Sequence, residues 1–68
     1  MNVKEMLKRV DQVFDELLGQ LGCEDGRDAD LISHWQDGAN PGFRIQVTRH
    51  TDKRMLTRFV DQLGKVSA

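Results

Sequence analysis

Apolar residues recur at helical spacing through the first third of the chain. This spacing of three and four residues predicts an amphipathic helix with a continuous apolar stripe. The stripe consists of Val3, Leu7, Val10, Phe14, Leu17 and Leu21. Asn2 is a favourable N-cap residue, Glu5 stands at the capping-box position, and Gly22 is a natural stop. The pattern therefore predicts a helix over residues 3–21.

The apolar period changes from two to about 3.6 within the last third of the chain. Residues 43–49 alternate between apolar and polar side chains, which predicts a strand. Residues 52–63 follow with helical spacing, between Thr51 as a candidate cap and Gly64 as a candidate stop. The apolar face of this second predicted helix consists of Met55, Leu56, Phe59, Val60 and Leu63.

The middle of the chain admits two interpretations. Residues 22–30 form a predicted acidic loop, and residues 37–42 form a dense cluster of turn residues. Between them, residues 31–36 fit either a strand or a short helix. A strand would pair with residues 43–49 as a hairpin, which the turn cluster favours. A helix would leave residues 43–49 to pair across a dimer.

These elements predict an α+β protein with a single α-β-β-α domain. Two helices, over residues 3–21 and 52–63, would pack on one face of a β-hairpin. A two-stranded sheet is thin and leaves both edges exposed. We therefore expect that a second copy completes a four-stranded sheet.

The run from Phe43 to Asp52, followed by the second predicted helix, resembles the closing strand and helix of fold-type I pyridoxal-phosphate enzymes. The resemblance covers about a third of the chain. A chain of 68 residues has no room for the large cofactor domain of that family, which holds the Schiff-base lysine. No activity or site residue is carried over, and we expect no cofactor.

Chain length and cysteine content narrow the class further. A core of 68 residues is marginal, which favours self-association as a source of stability. The lone Cys23 cannot form an intramolecular disulfide and suits a reducing compartment. Charges interrupt the apolar residues near the N-terminus, so no secretory or membrane segment is predicted there. These observations favour a cytoplasmic protein.

Charge is distributed unevenly along the chain. Residues 1–40 hold four Lys and Arg against nine Asp and Glu, whereas residues 41–68 hold six against two. This split indicates that the two parts attract each other, within one fold or across a dimer. The alternatives are contact with an acidic protein surface and binding of nucleic acid. The candidate interaction residues of the C-terminal part are Arg44, Arg49, His50, Lys53, Arg54 and Arg58. Trp35 joins them as a candidate interface residue, although packing in the core is the alternative.

Residues suited to catalysis or metal binding occur without a recognisable spacing. Cys23, His34 and His50 are suitable types for nucleophilic catalysis, but no local pattern joins them. The acidic loop does not fit an EF-hand, because Leu21 falls where the first Asp is required. We therefore expect no catalytic residue and no metal site.

The predicted function is a small non-enzymatic protein-binding or regulatory protein of the adaptor or inhibitor type. We expect a homodimer that does not bind membranes, with a nucleic-acid-binding module as the alternative.

Overall fold

The protein consists of one helix and a four-stranded antiparallel sheet, in a computed structural model that describes residues 2–24 and 26–68. The strands follow one another in the sheet in the order β1-β2-β3-β4, joined by hairpin turns. The elements are helix α1 (Val3–Gln20), a single 3₁₀ turn (Gly26–Asp28), and strands β1 (Ala29–Gln36), β2 (Gly42–Arg49), β3 (Met55–Asp61) and β4 (Val66–Ser67).

Local interactions at both ends set the limits of α1. The Asn2 side chain accepts a hydrogen bond from the Glu5 N–H at 2.9 Å, as its position in the sequence predicts. At the other end, the Gly22 N–H donates to the Gly19 carbonyl and the Cys23 N–H donates to the Leu18 carbonyl. These two hydrogen bonds form a Schellman motif, which needs the positive φ of 75° that Gly22 supplies.

The core lies between α1 and one face of the sheet. Side chains of α1 pack on the centre of the sheet, where Ile45, Val47 and Val60 are fully buried. We call this side the helix face. The opposite side, the open face, carries the alternate residues, among them Arg44 and Phe59, which are register partners on β2 and β3. No second layer covers the open face among the described residues.

The prediction of a second helix over residues 52–63 is wrong. These residues form the end of the β2–β3 turn, then β3, and then the start of the β3–β4 turn. Gly64 does not end a helix: with φ of 82° it closes the β3–β4 turn, where its N–H donates to the Asp61 carbonyl. The two-helix α-β-β-α arrangement is therefore replaced by one helix followed by four strands. The resemblance to pyridoxal-phosphate enzymes loses the helix on which it rested.

The side of β2 that faces away from β1 explains why residues 55–61 become a strand. The apolar pairs Met55-Leu56 and Phe59-Val60 satisfy a helical period, yet as a strand they place one apolar residue of each pair on each face. A helix would have left the N–H and C=O groups on this side of β2 without partners, which is costly in a buried strand. Pairing over the whole of β3 satisfies them within the chain.

The sheet is consequently complete without a second copy. Residues 31–36 belong to β1, in agreement with the strand interpretation, and they pair with β2 in the register that joins Leu31 to Val47 and Trp35 to Phe43. Strands β3 and β4 supply the remaining half of the sheet. The expectation that dimerisation builds the four-stranded sheet is wrong, because one chain provides all four strands.

Gly42 allows an unusually close approach of β2 to β3. A Cβ at this position would lie 2.3 Å from the carbonyl oxygen of Val60 and 2.8 Å from the ring of Phe59. Phe59 therefore covers the bare backbone of Gly42 on the open face, and its ring is largely buried there. The Arg44 guanidinium lies 5.3 Å from the centre of the same ring, a cation–π distance.

Candidate functional site

Strand β1 forms one outer edge of the sheet along its full length of eight residues. The His50 N–H donates to the Asp28 carbonyl at 3.0 Å, which fixes the alternation of backbone groups in the strand that follows. Residues 30, 32, 34 and 36 direct their N–H and C=O groups toward β2. The backbone groups of Ala29, Leu31, Ser33 and Trp35 therefore point outward, where the described residues place no further strand.

Large apolar side chains accompany this free edge. Leu31 and Trp35 are each 41% exposed on the helix face, and Ile32 is 49% exposed on the open face. Leu7 of α1 is also exposed on the flank of the helix. A long edge strand with exposed apolar side chains is a template for pairing with another chain, and proteins usually protect such edges.

The opposite edge of the sheet is protected. Strand β4 pairs with the second half of β3, joining Phe59 to Ser67 and Val60 to Val66. In the first half, the Arg58 side chain donates to the outward-directed Thr57 carbonyl at 2.6 Å. A charged side chain therefore occupies the place where another strand would bind. The contrast between the two edges singles out β1 as the candidate interaction surface.

Trp35 lies at the end of this candidate surface. Its side chain is partly packed against the protein and partly exposed. Its ring packs edge-to-face on Phe43, with centroids 5.1 Å apart. Its indole N–H donates to the Asp37 carboxylate at 2.7 Å, which fixes the orientation of the ring. The side chain is 41% exposed, so part of the ring is open to solvent in this fixed orientation.

The predicted basic residues are spread over three parts of the molecule. Arg44 lies on the open face, Arg58 lies on the helix face beside Gln20, and Lys53 and Arg54 lie in the β2–β3 turn. Arg54 and Arg58 would be neighbours in a helix, but four residues along an extended chain span about 13 Å. The fold therefore does not bring these cations together into one patch.

Arg49 connects three parts of the chain. Its guanidinium donates to the Leu21 carbonyl at the end of α1 and to both carboxylate oxygens of Asp52, at 3.0 and 2.5 Å. The hydrogen bonds with Asp52 raise the pKa of Arg49, and they hold the pKa of Asp52 well below its usual range. All three nitrogens of the guanidinium thus act within the chain, joining the helix end to the β2–β3 turn.

His50 forms the other polar contact at this end of the sheet. Its Nε2 lies 3.0 Å from an oxygen of Asp30, on the open face of β1. This hydrogen bond, followed by the charge of the imidazole, lowers the pKa of Asp30. The Asp30 side chain is 69% exposed, so its carboxylate can accept a further donor.

A cleft lies where the end of α1 meets the β2–β3 turn. It has a volume of about 380 Å³ and is open to solvent. Its lining consists of Gly22, Cys23, Glu24, Asp28, Arg49, His50 and Thr51. The side chains of Arg49 and His50 already have partners there, and Cys23 packs partly against the core.

Within residues 2–24 and 26–68, no group of three His, Cys, Asp or Glu side chains is placed to hold a metal ion. Asp25 of the predicted acidic loop lies outside the described residues.

No protein family, curated protein or solved structure in our comparisons matches this chain. Its function is therefore argued from its own geometry. In the described part of the chain, no helix combines the length and the apolar character needed to cross a membrane.

The sequence interpretation did not assign an interaction role to Leu31, Ile32 or Ser33. A signal was present, because consecutive apolar residues at 31 and 32 place an apolar side chain on each face of a strand. Such a pattern suits a strand buried on both faces. The sequence did not reveal that this strand lies at the edge of the sheet, with both side chains half-exposed.

Proposed function

We propose that this is a non-enzymatic protein-binding domain that acts through the outer edge of β1. The observation that carries the proposal is the difference between the two sheet edges. The β3 edge is covered by β4 and by Arg58, whereas the β1 edge presents four residues with outward backbone groups between exposed apolar side chains. A regulator, adaptor or inhibitor would use such an edge by adding a strand of its partner to the sheet.

The chemistry of strand addition fits the features of β1. Main-chain hydrogen bonds would supply affinity, and alternate side chains would supply specificity on each face. Leu31 and Trp35 would contact the partner on the helix face, and Ile32 would contact it on the open face. Trp35 matches the aromatic anchors that often dominate binding energy. The single Cys23 supports a reducing, cytoplasmic setting as part of the same proposal.

The nucleic-acid alternative draws less support from the geometry. Phosphate binding requires several cations along one surface. Here Arg49 and Arg58 form hydrogen bonds within the chain, and Arg44 lies over Phe59 on a different face. Titration with labelled DNA and RNA at low salt checks this alternative, since binding that weakens steeply with added salt would favour it.

The test of the proposal uses a substitution that blocks the edge without breaking the sheet. Ser33→Pro removes an outward N–H, and proline is tolerated in edge strands when its missing N–H faces solvent. Ser33→Ala, which keeps that N–H, is the matched control. Each tagged protein is used to capture partners from a cytoplasmic extract of the native host, and the bound proteins are identified by mass spectrometry.

The proposal expects one or more specific partners to be retained by the wild type and by Ser33→Ala, and lost with Ser33→Pro. Circular dichroism of each variant establishes that the fold is intact. Equal capture by all three proteins would overturn the proposal, because binding would then not depend on the β1 edge. An absence of specific capture by the wild type would overturn it as well, provided that the purified chain is also monomeric.

A further inference from the structure

We infer that the occupant of the β1 edge is a second copy of this chain, paired antiparallel with Ile32 on the two-fold axis. The inference rests on the proposed function and specifies its partner. It differs from the dimer expected from the sequence, which would have completed a two-stranded sheet. Here two complete four-stranded sheets would join into one continuous sheet of eight strands, through β1 of each copy.

The direction of the backbone N–H and C=O groups restricts how two β1 strands can pair. With a two-fold axis perpendicular to the sheet, the helix faces of the two copies lie on the same side. Odd-numbered residues of one copy therefore oppose odd-numbered residues of the other. The outward groups of Ala29, Leu31, Ser33 and Trp35 belong to this odd set, so they can form the new hydrogen bonds. Three registers remain near the centre of the strand, with Leu31, Ile32 or Ser33 on the axis.

A match of hydrogen-bond donor and acceptor between His34 and Asp30 selects the register centred on Ile32. In this register Asp30 of each copy stands directly opposite His34 of the other, on the open face and in a closely spaced, non-hydrogen-bonded pair. The exposed Asp30 carboxylate can accept a hydrogen bond from the imidazole of His34 while it keeps its bond to His50. Centring on Leu31 would place Asp30 against the apolar Ile32, and centring on Ser33 would place it against Gln36.

The apolar side chains on both faces gain contacts in the same arrangement. On the open face, the two copies of Ile32 meet on the axis, where each is 49% exposed in the single chain. Apolar cross-strand pairs of this kind stabilise a sheet. On the helix face, Leu31 stands opposite Ser33, and Trp35 stands opposite the small Ala29, which leaves space for its ring.

The helix face also forms a second apolar layer between the two copies. Because α1 lies over β2 and β3, the two helices would be separated by about four strand spacings of ~4.8 Å. A helix is ~10 Å wide, so a channel remains between them above the paired β1 strands. Leu7 projects about 140° around the helix axis from Gln20, which contacts β3 through Arg58, so Leu7 faces this channel. Leu31, Trp35 and Leu7 of both copies would fill it.

The first experiment measures the mass of the purified chain by sedimentation equilibrium across a range of concentrations. We expect a reversible monomer–dimer equilibrium for the wild type and for Ser33→Ala. Ser33→Pro should shift the dissociation constant at least tenfold toward monomer. Ile32→Lys, which changes an exposed side chain and places two lysines together on the axis, should do the same.

The second experiment tests the register with single cysteines in a Cys23→Ser background. Ile32→Cys should form a disulfide-linked dimer under mild oxidation, because directly opposed Cα atoms at a non-hydrogen-bonded pair lie ~4.5 Å apart. Ser33→Cys should not, since its nearest counterpart is displaced by two residues and lies beyond the ~7 Å limit for a disulfide. A mixture of Asp30→Cys and His34→Cys should form a disulfide-linked heterodimer.

The outcomes separate this inference from the proposed function. A monomeric wild type overturns the inference, and the proposed function still stands if a different protein is captured through β1. A dimer unaffected by Ser33→Pro and Ile32→Lys overturns the inference, because another surface then mediates association. Efficient linkage at Ser33→Cys without linkage at Ile32→Cys overturns the register. Loss of dimerisation in both edge variants, together with linkage at Ile32→Cys but not at Ser33→Cys, supports the inference.

Discussion

The close approach of β3 to Gly42 leads to a sharp prediction at this residue. Replacing Gly42 by alanine should destabilise the protein, although alanine is usually the better residue in ordered structure. The new Cβ would lie 2.3 Å from the Val60 carbonyl oxygen and 2.8 Å from the Asp61 Cα, both of them backbone atoms. Real Cβ atoms essentially never approach other heavy atoms closer than 3.0 Å. Strands β2 and β3 would therefore have to separate by at least several tenths of an ångström.

The magnitude follows from the cost of overpacking. Added methyl groups in tightly packed sites typically cost 1–3 kcal/mol, roughly, and relief is difficult here because the blocking atoms are backbone. Alanine restricts the unfolded chain more than glycine does, which offsets about 0.4–1 kcal/mol of this cost. Because backbone atoms block the site, the cost lies in the upper half of that range, and after the offset the free energy of unfolding should fall by about 1–2.6 kcal/mol. For a domain of this size, this corresponds to a decrease in Tm of roughly 5–20 °C.

Gly19 provides the matched control, because a Cβ there would meet no atom within 4 Å. Gly19→Ala should raise the stability of α1 by up to about 1 kcal/mol, since glycine is a poor helix former. Both variants are compared with the wild type by urea unfolding at a single protein concentration. A Gly42→Ala variant within 0.5 kcal/mol of the wild type, on the order of a neutral surface substitution, would refute the reasoning.

Three further predictions concern the turns and the protected edge. Lys53→Gly should raise the free energy of unfolding by roughly 0.5–1 kcal/mol, because Lys53 has a φ of 60° that side chains disfavour; a decrease in urea unfolding would contradict this. The lowered pKa of Asp52 stabilises the fold above the unfolded-state pKa, about 3.9, and this stabilisation is lost as the pH falls through the lower folded-state value. Asp52→Asn should therefore lower Tm at pH 7 and reduce its decline below pH 4, whereas parallel curves would argue against the interaction. Arg58→Ala should increase concentration-dependent light scattering, because it uncovers the outward Thr57 carbonyl, and Lys65→Ala should have no such effect.

Local patterns were sufficient to predict helix α1 and strand β2. The predicted helix over residues 3–21 is present as Val3–Gln20, because Asn2 and Gly22 act at its ends through contacts within a few residues. The predicted strand at 43–49 corresponds closely to β2. Both elements have one clear period and strong end signals, so tertiary structure had little to decide.

The candidate site was much harder to predict. The sequence suggested that clustered cations formed a surface, but the fold distributes them over β2, the β2–β3 turn and β3, and across both faces of the sheet. Trp35 was recognised as an interface candidate because of its residue type. The importance of its neighbours Leu31 and Ile32 depends on β1 being the outer strand, which is a property of sheet order. Local periodicity does not contain that information.

The sequence by itself determined the helix α1, the alternation of β2 and the position of the turn between β1 and β2. Tertiary structure decided the conformation of residues 55–61, where helical and strand periods are both satisfied. The physical reason is that β2 lies in the middle of the sheet, and the N–H and C=O groups on its second side require a partner. The same choice left β1 at the edge, and with it the surface through which we propose that the protein binds.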